Sequence, residues 1–127
     1  MKNLIMMAVI VSLGAVAAKA DGISLAGSEW GFGDGDKRFI QFGADGRVSG
    51  NAGCNRFFGS YQQDGGRLTI GQLGMTRMMC PPPDMARERA FAAMLANSSR
   101  FEATHLKLTL YSASGKALAT LQRRDFD

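Results

Sequence analysis

The sequence predicts a mainly β domain of the α+β class: a small antiparallel sheet or partly closed β-barrel with one helix packed across it. Three observations carry this. Runs of alternating polar and apolar residues are separated by glycine turns, a single segment rich in Ala, Arg, Glu and Leu follows three prolines, and no linker, low-complexity stretch or internal repeat divides the chain. Strands in succession with one inserted helix can bury the helix's apolar face against the sheet, which is the arrangement expected here.

Taken in order, the first segment is a targeting signal rather than part of the fold. Met1-Lys2-Asn3 gives a cationic start, Leu4 to Ala18 is apolar and small, and Ala18-Lys19-Ala20 fits the small-x-small cleavage rule, with Ala20 the last residue removed. The apolar run is shorter than the ~20 residues a spanning helix needs, so a retained membrane anchor is the weaker reading. No cysteine stands near the cut to carry a lipid, and a soluble periplasmic or secreted product is expected. About 107 residues remain (21–127), the size of one ordinary domain.

Lys37 to Phe42 alternates as a strand, and Ala44-Asp45-Gly46 turns it into Arg47-Val48-Ser49. Phe58 to Gln62 leads to a second turn, Asp64-Gly65-Gly66, and Arg67-Leu68-Thr69-Ile70 continues with period two. After Pro81-Pro82-Pro83, Asp84 is expected to cap a helix over Met85 to Ala96, with Phe91, Met94 and Leu95 on the buried face and Asn97-Ser98-Ser99 as its stop. Leu106 to Tyr111 and Ala117 to Leu121, joined through Ser114-Gly115, form a third hairpin with one buried face.

Charge excludes one class of function. The whole chain is formally +4, but of its fifteen basic residues Lys2 and Lys19 leave with the signal, so thirteen stand against eleven acidic ones and the mature charge is +2. The arginines are scattered rather than gathered on one face, so no nucleic-acid footprint is present.

The only two cysteines, Cys54 and Cys80, lie in two distinctive blocks, GNAGCNRFFGSY (Gly50 to Tyr61) and TRMMCPPP (Thr76 to Pro83). Exported together into an oxidising space, they favour a disulfide, which would stabilise a chain this small by about 3 to 4 kcal/mol; two buried free thiols are the alternative. Met75, Met78 and Met79 beside Cys80 offer soft ligands for Cu(I), but such a site needs a reduced Cys80, and alternation along a strand would separate Met78 from Met79 and favour packing. The sole histidine, His105, sits between two strand-like segments, and a thiol–imidazole dyad with either cysteine is weaker than a structural role. Asp34-Gly35-Asp36 lacks the further acids of a calcium loop and reads as a turn. The expectation is no catalytic set, no metal and no cofactor. In the first block, Gly50, Gly53 and Gly59 permit unusual backbone or close approach, Asn55 can bond backbone in a turn, and Phe57 and Phe58 point to opposite faces. Together these describe a tight corner fastened to a strand over Thr76 to Cys80, with binding of a ligand at that corner as the alternative.

These two blocks resemble those of the META domain family, which takes in heat-shock and cell-envelope proteins. Matching positions are Gly50, Gly53, Cys54, Asn55, Arg56, Gly59 and Tyr61 in the first block and Thr76, Met78 and Cys80 in the second. The resemblance extends to Trp30, the run from Phe42 to Gly50, the helical segment and the terminal hairpin. It implies the same fold, a sheet with a helix across it; with no legible acid, base and nucleophile set, the expected role is non-enzymatic, in stress tolerance or envelope maintenance. The expected partner is a protein or envelope ligand, bound by a monomer with neither nucleic acid nor a membrane span. A thiol-dependent enzyme and a metal-binding or inhibitor-like module are the alternatives.

Overall fold

A computed structural model describes residues 23–125; the predicted signal and its cleavage site at Ala20 lie outside the described residues. The strands are β1 (Ser28–Gly31), β2 (Phe39–Phe42), β3 (Arg47–Asn51), β4 (Arg56–Asp64), β5 (Arg67–Ile70) and β6 (Gly74–Met75), followed by the helix α1 (Pro82–Asn97) and then β7 (Arg100–Ala103), β8 (Lys107–Tyr111) and β9 (Ala117–Arg123). All pairings are antiparallel. They run β3-β2-β1-β9-β8-β7-β5-β4, and β4 pairs back with β3, while β6 adds to β4 beside Phe57 and Phe58. Among the described residues, antiparallel strands with one helix are observed, as predicted.

Local chemistry explains most of the boundaries. The three expected hairpin turns are present between β2 and β3, β4 and β5, and β8 and β9, and each carries a glycine at positive φ. Alternation places Ile40, Phe42, Val48, Phe57, Leu68, Leu108 and Leu110 inside, and the residues between them outside. Trp30 is fully buried, and its indole N–H donates to Ser28 Oγ at 2.6 Å, so its polar end is satisfied inside the core.

The helix starts earlier than Asp84. Pro81 precedes its first residue, Pro82 and Pro83 occupy the first turn, and no side chain caps it. Proline is well placed there, since its fixed φ suits a helix and its missing N–H would have no intrahelical partner. Asp84 instead sits in the first turn, favourable toward the positive end of the helix, and pairs with Arg87 at 2.9 Å. Phe91 and Leu95 enter the core as expected, with Met94 packed at its margin. Phe91 meets Phe32 and Phe57 edge to face at centroid distances of 5.7 and 6.1 Å.

A second correction concerns Thr76 to Cys80, which forms no strand; pairing ends with β6 at Met75. The strands β1 and β7, which the alternation patterns passed over, complete the circuit through Trp30, Gly31 and Arg100.

Candidate functional site

The two distinctive blocks meet at one corner. Between β3 and β4 the chain turns through Ala52-Gly53-Cys54-Asn55, with Ala52 N–H donating to Asn55 C=O at 2.9 Å. Asn51 Oδ1 accepts from Gly53 N–H at 2.7 Å, and Gly53 holds φ +123°, a conformation side chains other than glycine's seldom allow. Cys54 is bonded to Cys80, their Cα atoms 6.2 Å apart, which ties the corner to the residues just ahead of α1. The cysteines thus meet, though in a turn and a loop rather than on neighbouring strands.

Asn55 organises this corner and is 2% exposed. Its side-chain Oδ1 accepts from Met78 N–H at 2.6 Å and from Thr76 Oγ1 at 2.9 Å. Its Nδ2 donates to Met78 C=O at 3.1 Å and to Glu88 Oε2 at 3.0 Å. Its main-chain N–H donates to Glu88 Oε1 at 2.6 Å. The amide therefore gives Met78 the pair of bonds a neighbouring strand would have given, which is why residues 76–80 hold position without a ladder. Thr76 closes the far side: its Oγ1 accepts from Arg56 N–H at 3.1 Å and its N–H donates to Arg56 C=O at 3.0 Å.

No motif marks Glu88 as a partner, yet the sequence carries a signal. It precedes Phe91 by three residues and Leu95 by seven, on the helix's buried stripe, where a carboxylate must find donors. Asn55, the last residue of the corner, supplies them.

Gly50, Gly59 and Tyr61 serve the sheet beside the corner. A Cβ on Gly50 would run into Phe39 C=O and the Phe57 ring, so only glycine lets β2 approach there. Gly59 faces Leu73 and Gln72, and Tyr61 donates to Gly43 C=O at 2.7 Å while its ring packs edge-on against Phe42. Phe57 is buried and Phe58 is 55% exposed, the expected opposition. Met78 and Met79 are both exposed, Met79 at 90%, so neither has the core-packing role expected for one of them. His105 lies exposed in the turn between β7 and β8.

Two clefts flank the corner. One, of about 460 Å³, is lined by the β1–β2 loop and α1. There Asp36 clasps Arg38 through two bonds of 2.7 and 2.9 Å, which bring its carboxyl down from 3.8 to about 2 despite some burial. Arg38 in turn lies over the Phe32 ring at 4.2 Å. The other cleft, of about 600 Å³, lies on the outer face of β2, β3 and β4 and includes Arg56, Phe58 and Thr76.

Comparison with known proteins fits this geometry. A family model described as META domain matches residues 19–125. The heat shock protein HslJ of Escherichia coli (strain K12) is 37% identical over 75 residues, covering 58% of this chain and 53% of that protein, so the chain spans about half of the relative's length. A Burkholderia xenovorans protein solved by NMR superposes with a TM-score of 0.68 at 24% identity over 80% of this chain and 85% of the other. A further NMR structure gives 0.58 at 29% identity, covering 79% and 90%. A duf4847 family protein from Bacteroides vulgatus gives 0.55 at 21%, covering 72% and 62%.

Proposed function

Because this chain belongs to the META domain family, we propose that it is an exported, non-enzymatic protein of the bacterial cell envelope. On this reading it acts in stress tolerance or envelope maintenance by binding a protein or envelope ligand. Residues 1–20 are its signal, residues 21–127 its working domain, and the pairing circuit of its strands is a partly closed barrel.

The observation that carries the reading is the corner. Both cysteines are bonded to each other, and every polar atom of the Asn55 side chain is engaged by Thr76, Met78 or Glu88. A sulfur in a disulfide is no thiolate nucleophile, and a saturated amide has nothing to offer a substrate. The most distinctive residues of the chain therefore serve as joinery, leaving the outer surfaces for recognition. A disulfide persists in oxidising compartments, which supports an envelope location. The heat-shock designation of HslJ supports a stress role for the part the two chains share.

Intact-mass analysis of an envelope fraction is expected to give a chain beginning at Asp21 with no free thiol. His105→Ala is expected to leave stress-survival complementation intact. A His105 variant that stays folded but loses complementation, or a chain that keeps Met1 and resides in the membrane, overturns the reading.

A further inference from the structure

The larger cleft is built from the sheet register. Gln41 pairs with Ser49, which pairs with Phe58; Phe39 pairs with Asn51, which pairs with Arg56. Alternation turns all six outward, so the outer face carries two parallel rows of three side chains. The array measures about 10 Å across the strands and about 7 Å along them. The cleft itself, at about 600 Å³, is of the size that holds small ligands.

Three properties of this array select a ligand. First, Arg56 is the sole charged residue in the cleft, and no carboxylate pairs with it among the described residues. The 460 Å³ cleft differs in this respect, since its Asp36–Arg38 and Asp84–Arg87 pairs neutralise each other. Second, the side chains of Gln41 and Ser49 make no hydrogen bond among the described residues, and Asn51 uses only its Oδ1, on Gly53 N–H, leaving its Nδ2 to donate. Amides and hydroxyls both donate and accept, as the hydroxyls of a sugar do. Third, Phe58 presents an exposed ring whose electron-rich face suits the C–H face of a sugar ring. A peptide adding as a strand is disfavoured, because β3 is hydrogen-bonded on both sides and offers no free edge in the cleft.

We propose that the outer face of β2, β3 and β4 is a binding site for an anionic saccharide, with Arg56 holding the acidic group, Phe58 stacking on a sugar ring, and Gln41, Ser49 and Asn51 bonding its hydroxyls. This deepens the binding role proposed above and rests on it.

The test titrates the mature domain with trigalacturonate and follows amide NMR shifts. Maltotriose serves as the uncharged control and inorganic phosphate as the bare anion. Trigalacturonate is expected to shift the amides of β2, β3 and β4 with a Kd of about 1 mM or tighter. Arg56→Gln and Phe58→Ala are each expected to weaken binding about tenfold. Both side chains are exposed, so both variants are expected to unfold at the wild-type temperature; Arg56→Gln is the stricter of the two, because the Phe58 ring also covers Gly74. Equal binding of maltotriose, equal binding of phosphate, or no shift with trigalacturonate overturns the saccharide assignment. Complementation by the same two variants separates the levels. If they fold but fail to complement while trigalacturonate does not bind, the face binds something else and only the ligand class falls. If they complement fully and nothing binds, this face is not the binding surface.

Discussion

Asn55 is buried and holds four side-chain hydrogen bonds, and the consequence of removing it follows from what is left behind. In Asn55→Ala, Met78 N–H and C=O lose their partners, and Glu88 keeps only the main-chain donor. Each buried group so orphaned costs about 1 to 3 kcal/mol, less what the exposed loop regains from water. Urea unfolding of Asn55→Ala is expected to show a loss of about 2 to 4 kcal/mol. A variant within about 0.5 kcal/mol of wild type would mean the network contributes nothing net. Asp36 gives a second residue-scale expectation. Its carboxyl titrates near 2 in the folded chain against an ordinary value of 3.8, because Arg38 bonds the charged form. The stability this pair contributes is therefore present above the ordinary carboxylate range and is lost as pH falls from about 4 toward 2. Asp36→Asn is expected to flatten that part of the stability-against-pH curve, and an unchanged acid limb would sink the attribution.

At the scale of elements, legibility followed how much each segment depends on its own pattern. Alternation and a glycine turn mark β5 to the residue, and β3, β8 and β9 nearly so. No pattern marks β1, because Trp30 is followed by glycine and no alternation develops around it, so only its neighbours β2 and β9 make it a strand. β7 offers one large apolar residue, Phe101, between charged ones directly after a helix stop. The segment 76–80 reads as a strand in the sequence and is held instead by a side chain, which no periodicity can reveal. Compartment and count favour pairing of Cys54 with Cys80, whereas Glu88 becomes their buried neighbour only once the helix is placed against the corner. The helix also separates core from surface in a measurable way. Phe91→Ala empties a buried site against Phe32 and Phe57, with an expected loss of about 3 to 5 kcal/mol. Phe58→Ala, on an exposed face, is expected to change stability by less than about 1 kcal/mol. Equal losses in chemical denaturation would contradict the placement of α1.

For the whole molecule, the disulfide links three parts that make few other covalent or ladder connections: the β3–β4 corner, the unladdered segment 76–80 and the start of α1. Cys54 and Cys80 are separated by 26 positions, so opening the bond frees a loop that, by chain entropy, lowers stability by about 3.5 kcal/mol. Such a loss is a large share of the total for a domain this size, whose stability is on the order of 5 to 15 kcal/mol. Compartment then becomes part of the fold's energetics: a chain held in a reducing space lacks the bond, and one exported gains it. The expectation is that residues 21–127 produced under reducing conditions fold to the same sheet, since the core of Trp30, Phe57, Phe91 and Leu108 does not involve the sulfurs. They should unfold at a lower urea midpoint, with the oxidised form more stable by about 3 to 4 kcal/mol. Cys54→Ala/Cys80→Ala is expected to match the reduced protein and to ignore reductant. Coincident urea curves for oxidised and reduced protein would show that the bridge does not constrain the unfolded chain. A reduced protein without any cooperative transition would show instead that the sheet and helix cannot hold the corner without the bond.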